Sequence, residues 1–201
     1  MRGYLIGVLR ITAGEHRGRR LPVPKVAATR PLPERARQAL FDHLVREVPG
    51  AVVWDVYAGS GVLGFEALSR GAARVVAVEK DRRAARTIRD TAATLGLGGR
   101  HHVIQMDARR LPRLWEQESP HLPRPDLVFF DPPYAEFRAG GERRAEVLAL
   151  FRALAATLPP GGVAVVHTPG AVLTDEERAD FPGIERRDYG STSLYWWHRP
   201  A

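Results

Sequence analysis

The sequence of 201 residues contains no cysteine, which excludes disulfide bonds and thiolate metal sites. Its seven histidines show no paired spacing of the kind that metal ligands have, and we expect no bound metal. Long apolar runs are absent as well, since none approaches the roughly 20 residues that a helix needs to cross a bilayer. The first residues show no clear signal-peptide pattern. We therefore expect a cytoplasmic protein that does not span a membrane.

Lysine is scarce, because arginine supplies all but two of the 30 basic residues. The formal net charge is +7, and residues 1–50 hold ten Arg or Lys against four Asp or Glu. A basic surplus in one segment is typical of a surface that contacts phosphate groups. A solvated basic face is the alternative, above all in a chain so rich in arginine. The arginines that we predict to bind a nucleic acid are Arg10, Arg17, Arg19, Arg20 and Arg30.

The most informative segment is Asp131-Pro132-Pro133-Tyr134, which follows four apolar residues. Those four predict a short buried strand, and open α/β sheets bind ligands at the carboxyl ends of their strands. The prolines stiffen the turn and remove two N–H donors, so its carbonyls remain as acceptors. The Asp131 carboxylate and the Pro132 carbonyl could hold an exocyclic amine while the Tyr134 ring stacks on a flat substrate. Taken alone, the motif also fits an ordinary turn.

A second motif, Gly59-x-Gly61-x-x-Gly64, lies between an apolar run and a segment with a helical pattern. A strand, a glycine turn and a helix form the first unit of a nucleotide-binding α/β fold. The glycines alone fit a dinucleotide equally well. Asp55 distinguishes the two, because a carboxylate four residues before Gly59 would face a pyrophosphate unfavourably. S-adenosylmethionine has no phosphate and carries a sulfonium and an α-ammonium group, so we predict it as the cofactor, with NAD as the alternative.

Two more acids follow the next predicted strands. Glu79 ends an apolar run and could accept from both hydroxyls of a ribose. Asp107 follows the third predicted strand, where it could meet an adenine amine; it also fits the N-cap of a helix, and both roles are compatible. The predicted cofactor-binding residues are Asp55, Ala58, Gly59, Ser60, Gly61, Gly64, Glu79, Lys80, Asp107 and Ala108.

The lack of cysteine favours an amine as the methyl acceptor. Methylation of a pyrimidine ring carbon normally needs a cysteine nucleophile to activate the ring, and this chain has none. Methylation of an amine needs only positioning of the reacting atoms. The predicted catalytic residues are Asp131, Pro132, Pro133 and Tyr134.

From residue 51 onward, predicted strands and helices alternate, as in a parallel sheet covered by helices. We expect a Rossmann-like class I methyltransferase fold with a seven-stranded, mostly parallel sheet over residues 31–201. A basic β-hairpin extension is expected over residues 1–30. The predicted strands are 51–54, 74–79, 101–106, 126–131, 162–167, 184–189 and 193–198; the predicted helices are 33–48, 65–71, 82–96, 108–117 and 142–158.

Several finer expectations concern single segments. Pro33 should occupy the first helical position of the helix 33–48. Its apolar stripe should comprise Ala36, Leu40, Leu44 and Val48, with Arg35, Arg37 and Arg46 mostly off it. Trp196 and Trp197 should point to opposite faces of the last strand, with at most one in the core. The segments 4–12 and 21–23 should contribute the hairpin strands, 26–32 a linker, and 135–141 a loop that could cover the substrate.

These motifs together resemble the RsmD-type 16S ribosomal RNA guanine-N2 methyltransferases over almost the whole chain. Residues 10–14 (R-I-T-A-G) and 17–21 (R-G-R-R-L) are similar to the opening of that family, R-I-I-G-G…R-G-R-x-L. Residues 29–41 resemble its R-P-T-x-D-R-x-R-E-A-L-F signature, and 58–72 its cofactor segment. The chain departs at Leu32, Glu34 and Tyr57, where the family usually has Thr, Asp and Phe, and residues 1–8 look like an extension.

The resemblance implies transfer of a methyl group from S-adenosylmethionine to the N2 amine of one guanine in 16S rRNA. The substrate would be the rRNA, within an assembling or assembled 30S subunit, and the enzyme is expected to be a monomer. The residues themselves leave alternatives open. These are an amino-methyltransferase acting on adenine N6 or cytosine N4 in DNA or on a glutamine side chain, a nicotinamide-dependent dehydrogenase, and a non-catalytic RNA-binding assembly factor.

Overall fold

The computed structural model describes residues 9–23, 32–118, 122–137 and 142–200. The strands and helices, in chain order, are β1 (Leu9–Arg10), β2 (Arg20–Leu21), α1 (Glu34–His43), β3 (Val52–Val56), α2 (Val62–Ser69), β4 (Arg74–Glu79), α3 (Arg82–Thr94), β5 (His101–Gln105), α4 (Leu111–Glu118), β6 (Leu127–Phe130), α5 (Glu142–Thr157), β7 (Val163–Thr168), α6 (Asp175–Ala179), β8 (Glu185–Tyr189) and β9 (Thr192–His198). Two short 3-10 helices comprise Ala108–Arg110 and Tyr134–Phe137. Within these ranges, no helix has the length and apolar character needed to cross a bilayer.

Seven strands form the main sheet in the order β5-β4-β3-β6-β7-β9-β8. Neighbours from β5 to β7 are parallel, whereas β9 runs antiparallel to both β7 and β8. The predicted seven-stranded, mostly parallel sheet is therefore confirmed. The chain builds outward from β3 to β5 and then returns to place β6 on the other side of β3. This reversal opens a crevice at the carboxyl ends of β3 and β6, where sheets of this kind bind ligands.

Helices cover both faces of the sheet, and the sequences of the central strands reflect this. Every residue of β6 and β7 is buried, as expected of parallel strands enclosed on both sides. Adjacent residues of β6 enter different cores. Phe129 packs with Phe41 of α1, whereas Phe130 packs with Phe151 of α5.

A small hairpin packs beside the main sheet. Its strands pair antiparallel at Leu9 with Leu21 and at Arg10 with Arg20, so within the described residues they end before the predicted residues 12 and 23. The turn between them lies against the end of α2, where Ser69 donates a hydrogen bond to Ala13 O (2.6 Å). Gly14 has φ +81°, and a Cβ there would lie 1.8 Å from Ser69 O, so only glycine permits this approach.

A fully buried carboxylate, Glu66 of α2, connects the hairpin to two helices. It accepts hydrogen bonds from the backbone N–H of Thr12 (2.9 Å) and Ala13 (3.2 Å) and from the Thr12 hydroxyl. Arg70 Nε donates to it at 2.9 Å, and Arg37 Nε of α1 lies 3.7 Å away. Both Glu66 and Arg37 are 0% exposed. Burial lowers the pKa of Arg37, but Glu66 opposes this effect.

The prediction for Arg37 was wrong, because its side chain is buried rather than displaced from the core. The guanidinium also donates to Arg10 O of the hairpin at 2.7 Å, a partner far away in sequence. Helix α1 ends at His43 instead of near Val48, and Pro33 is its N-cap rather than its first helical residue. The predicted stripe is nevertheless buried in full: Ala36, Leu40, Leu44 and Val48.

Both tryptophans of β9 are buried, so the expectation of at most one in the core was wrong. They do point to opposite faces, and each face has its own cover. Trp196 meets His43 of α1 edge-on (5.2 Å), and Trp197 meets Phe181 in the same way (5.4 Å). Phe181 follows α6, a short helix that was not predicted. The segment that contains α6 and Phe181 covers the face of β9 to which Trp197 points.

The remaining predicted strands and helices are present within a few residues of their expected bounds. Predictions that lie wholly or partly outside the described residues are the hairpin strand before residue 9, most of the linker 26–32, Arg30, and the end of the loop 135–141.

We predict that Glu66→Gln lowers the free energy of unfolding by on the order of 3 kcal/mol, because it leaves buried Arg37 without an anionic partner. Urea denaturation measures the change. As a control, Asp90→Asn removes an exposed pair with Arg86 and should change stability by less than about 0.5 kcal/mol. Equal effects would mean that the Glu66 cluster contributes no more than a surface ion pair.

Candidate active site

The candidate site lies at the carboxyl ends of β3, β4 and β6. Asp131 N donates to Val56 O at 3.2 Å, which joins the two strands on either side of the reversal. Three segments leave the sheet here: the glycine loop after β3, the turn after β4, and the D-P-P-Y turn after β6. Their adjacency follows from the strand order and does not depend on the loops themselves.

The glycine loop has a left-handed backbone at three positions, Tyr57 (φ 65°), Gly59 (φ 56°) and Gly61 (φ 73°). Gly61 is the N-cap of α2, and a Cβ there would lie 3.0 Å from Ile88 and 3.1 Å from Phe65. At Gly59 a Cβ would meet only Tyr57 O, at 3.9 Å. The loop is thus packed on the side of Gly61 and open at Gly59, so a ligand can approach its backbone there.

Asp55 lies beneath this loop and is 1% exposed. Its Oδ2 accepts from Gly64 N at 3.0 Å, which holds the first turn of α2 against β3. Gly64 allows this contact, since a Cβ there would be 2.9 Å from Val75 and 3.1 Å from Asp55 Oδ2. Burial raises the pKa of Asp55 to about 8, and the charges of Asp131 and Glu79 add to the effect.

Glu79 joins the glycine loop to the end of β4. Its Oε2 accepts from Gly59 N at 2.8 Å and its Oε1 from Asp81 N at 2.7 Å. Asp81 in turn caps α3 by accepting from Ala84 N at 2.8 Å. Each carboxylate oxygen of Glu79 keeps a further lone pair, so the predicted contact with ribose hydroxyls is compatible with these bonds. Lys80 beside it is exposed.

Asp107 has the capping role that the sequence predicted, since its Oδ1 accepts from Arg109 N at 3.0 Å. The Arg109 side chain also binds this carboxylate, with Nε–Oδ1 at 3.0 Å and Nη2–Oδ2 at 2.6 Å. The hydrogen bond from Arg109 lowers the pKa of Asp107 to about 2. Arg109 reaches Glu146 of α5 as well (3.1 Å). Sequence analysis had not anticipated this arginine, and an adenine amine would share Asp107 with it.

The D-P-P-Y turn brings its polar atoms to the crevice and continues into a 3-10 helix. Pro132 is buried, whereas Asp131, Pro133 and Tyr134 are half-buried. Glu136 N donates to Pro133 O at 2.8 Å, which closes the turn. Tyr57 of the glycine loop donates its hydroxyl to Glu136 Oε2 at 3.2 Å, so the two loops are directly connected. Burial raises the pKa of Tyr57, and Glu136 contributes to this shift.

Sequence analysis missed a buried histidine beneath this turn. His167 Nδ1 is 2.6 Å from Asp131 Oδ1, and His167 Nε2 is 3.0 Å from the Tyr134 hydroxyl. That hydroxyl is also 3.0 Å from Thr192 Oγ1. The available signal was one ionisable residue near the carboxyl end of β7, after four apolar residues, and β7 is adjacent to β6 in the sheet.

The structure describes four of the five arginines that were predicted to bind RNA. Arg10, Arg17, Arg19 and Arg20 are exposed on the hairpin, and Arg30 lies outside the described residues. The hairpin packs against the end of α2, and α2 begins in the glycine loop. One helix therefore connects this basic surface to the candidate site.

The carboxylates around the crevice suit S-adenosylmethionine and suit a pyrophosphate poorly. Four carboxylates stand at successive strand ends: Asp55, Glu79, Asp107 and Asp131. Glu79, Asp107 and Asp131 suit a ligand with positive charge, hydroxyls and an amine, whereas Asp55 is buried beneath the glycine loop and supports its backbone. Among the residues that the structure describes, no three His, Asp or Glu side chains gather closely enough to hold a metal ion.

Comparison with known proteins gives concordant matches. The model of the family described as conserved hypothetical protein 95 matches residues 9–198. Ribosomal RNA small subunit methyltransferase D of Escherichia coli K12 is 38% identical over 128 residues, which cover 64% of this chain and 61% of that relative. The match thus spans less than two thirds of the relative's length.

Solved structures match over more of the chain. A hypothetical protein of Thermus thermophilus superposes with a TM-score of 0.73 at 33% identity, covering 96% of this chain and 100% of that one. A putative methyltransferase complexed with SAH shares the fold at a TM-score of 0.61 and 13% identity, over 81% of this chain and 49% of its own. The predicted methyltransferase fold is confirmed, since a putative methyltransferase of Escherichia coli also superposes with a TM-score of 0.72 at 28% identity, covering 97% of this chain and 99% of that one.

We predict that ionisation of Asp55 costs stability as the pH rises. Its folded pKa of about 8 lies above the unfolded value near 3.9, so the folded chain holds the proton more tightly between these pH values. Asp55→Asn removes this titration. Between pH 5 and pH 9, the wild type should lose on the order of a few kcal/mol of unfolding free energy relative to the variant.

Urea denaturation of both proteins at the two pH values measures this difference. The titration of all other ionisable groups contributes equally to both proteins and therefore cancels. A difference that does not change with pH would mean that Asp55 is already ionised at pH 5.

Proposed function

The chain belongs to the family described as conserved hypothetical protein 95, and we propose that it transfers a methyl group to the exocyclic N2 amine of a guanine in 16S rRNA. The observation that carries the proposal is the adjacency of the D-P-P-Y turn and the acid-lined glycine loop, connected by Asp131 N–Val56 O (3.2 Å). An amine acceptor and a cationic donor can therefore be held side by side. The relative named a small-subunit rRNA methyltransferase supports RNA as the substrate class.

The cofactor, S-adenosylmethionine, supplies a methyl group that is already activated by its sulfonium. The residues that would hold it are Asp55, Ala58, Gly59, Ser60, Gly61, Gly64, Glu79, Lys80, Asp107 and Ala108. The open backbone at Gly59 would face its methionine part, and Glu79 its ribose. Asp55 would act through the backbone of α2, since its carboxylate is buried against Gly64 N.

The target base would leave its stack, as chemistry on a base usually requires. Asp131 and the Pro132 carbonyl would then accept hydrogen bonds from the guanine amine while the Tyr134 ring stacks on the base. Most of the acceleration can come from positioning, so a strong general base is unnecessary. The amine becomes acidic only after it has gained the methyl group, and Asp131 can then pass the proton to water.

The exposed hairpin arginines would contact the RNA backbone. Arg10, Arg17, Arg19 and Arg20 share one short segment, and their charges would draw phosphate groups to that side of the molecule. We propose Arg30 as a further RNA contact. We propose that the enzyme acts in the cytoplasm, as a monomer, on rRNA within an assembling or assembled 30S subunit.

The first test is methyl transfer itself. Purified protein, radiolabelled S-adenosylmethionine and small-subunit rRNA, free or in 30S particles, should yield N2-methylguanosine on nucleoside digestion. Asp131→Ala should abolish transfer while cofactor affinity changes little, because Asp131 faces the amine. As a control, Asp126→Ala alters an acid before the same strand, outside the crevice, and should retain turnover.

The product identifies the reaction. N6-methyladenosine or N4-methylcytidine would mean that the acceptor is the amine of adenine or of cytosine instead of guanine. An absence of transfer would favour a non-catalytic assembly factor. Near-normal turnover of Asp131→Ala would remove Asp131 from the mechanism.

The second test concerns the hairpin. Replacing Arg17, Arg19 and Arg20 by Gln should weaken RNA binding and reduce the slope of log K against log salt by roughly 2–3, because each phosphate contact contributes about 0.7–0.9. The control replaces three exposed arginines of α3: Arg82, Arg83 and Arg86. An unchanged slope in the hairpin variant would mean that its arginines are only solvated.

A further inference from the structure

The polar cluster beneath the D-P-P-Y turn lies in apolar surroundings. His167 is 2% exposed and Thr192 3%, at the ends of two adjacent strands. On another side, Asp131 and His167 border a small cavity lined by Leu32, Leu40, Leu63, Phe129, Phe130, Val165 and Leu194. Hydrogen bonds in such surroundings are stronger than in water, and a lost partner is not replaced by solvent. These contacts should therefore hold their side chains in one arrangement.

The Asp131 carboxylate sets the order of donors and acceptors in this cluster. An ionised Asp131 can only accept, so His167 Nδ1 carries the hydrogen of the 2.6 Å contact. A neutral imidazole then has an unprotonated Nε2, which accepts from the Tyr134 hydroxyl 3.0 Å away. The Tyr134 oxygen can in turn accept from Thr192 Oγ1, also at 3.0 Å. Thr192 Oγ1 also lies 3.4 Å from His167 Nε2, so every hydrogen of the cluster has an acceptor within reach.

We propose that His167 is a positioning residue for methyl transfer, an inference that rests on the proposed function. By donating to Oδ1, it stops the Asp131 carboxylate from rotating and leaves Oδ2 for the substrate amine. Through Nε2 it holds the Tyr134 hydroxyl inward, so the ring rather than the hydroxyl meets the base. One buried imidazole thus sets both the acceptor and the stacking surface of the D-P-P-Y turn.

Two amide substitutions separate the two contacts. His167→Asn places an N–H donor near the Nδ1 position, whereas His167→Gln places its amide near Nε2 and gives Asp131 no donor. We expect His167→Gln to lower kcat about 10²-fold, as for a misplaced catalytic group. The KM for RNA and the affinity for the cofactor should stay within about twofold, and His167→Asn should restore most of kcat.

Tyr134→Phe and Thr192→Val test the other end of the cluster, since each removes a hydroxyl and keeps the shape. Both should lower kcat less than His167→Gln does, because Asp131 keeps its donor. Equal losses of kcat in His167→Asn and His167→Gln, accompanied by lower thermal stability, would mean that His167 only fills space. Wild-type turnover in His167→Gln would also overturn the proposal.

A second measurement does not need activity. Nitrogen-15 NMR of the full-length protein without substrate should show His167 protonated at Nδ1 and unprotonated at Nε2. Asp131→Ala should abolish this preference, and protonation at Nε2 alone in the wild type would overturn the proposal. A wild type that methylates no RNA would refute the proposed function, whereas the NMR result would still decide whether His167 holds Asp131.

Discussion

The reversal of strand order between β3 and β6 is the constraint on which the rest of the site depends. Because β4 and β5 extend the sheet on one side and β6 and β7 on the other, two loops leave the centre of the sheet without a helix between them. The contact from Asp131 N to Val56 O joins the strand ends at this position. A cationic ligand over the glycine loop and an amine over the D-P-P-Y turn would then be neighbours through topology alone.

Helix α2 connects the candidate site to the hairpin. All eight of its residues are buried, and two carboxylates act on it from different sides. Asp55 binds the backbone of its first turn at Gly64, whereas Glu66 on the helix itself binds the hairpin and Arg37. The hairpin is therefore attached to the same rigid element that shapes the glycine loop. Its exposed arginines therefore have a defined position relative to the candidate site.

The acids of the site differ in what surrounds them, although the sequence presents them as a similar set. Asp55 is enclosed, and burial raises its pKa to about 8, whereas the hydrogen bond from Arg109 lowers that of Asp107 to about 2. Glu79 accepts from two backbone N–H groups, and Asp131 lies 2.6 Å from His167 Nδ1. The four acids therefore differ in their partners rather than in residue type, and two of those partners, Gly59 and His167, come from other segments of the chain.

The sequence by itself determined the seven strands of the main sheet, the helices α1 to α5, and the positions of the four acids at strand ends. These follow from local patterns: apolar runs, glycine turns and the stiff D-P-P-Y segment. Only the tertiary structure decided that Arg37 is buried, that both Trp196 and Trp197 are covered, and that His167 contacts Asp131. Each of these depends on a partner distant in the chain: the hairpin and Glu66, α1 and the segment around Phe181, and the neighbouring strand β6. A period of apolar residues shows which face of an element is buried, but it does not show what another element places against that face.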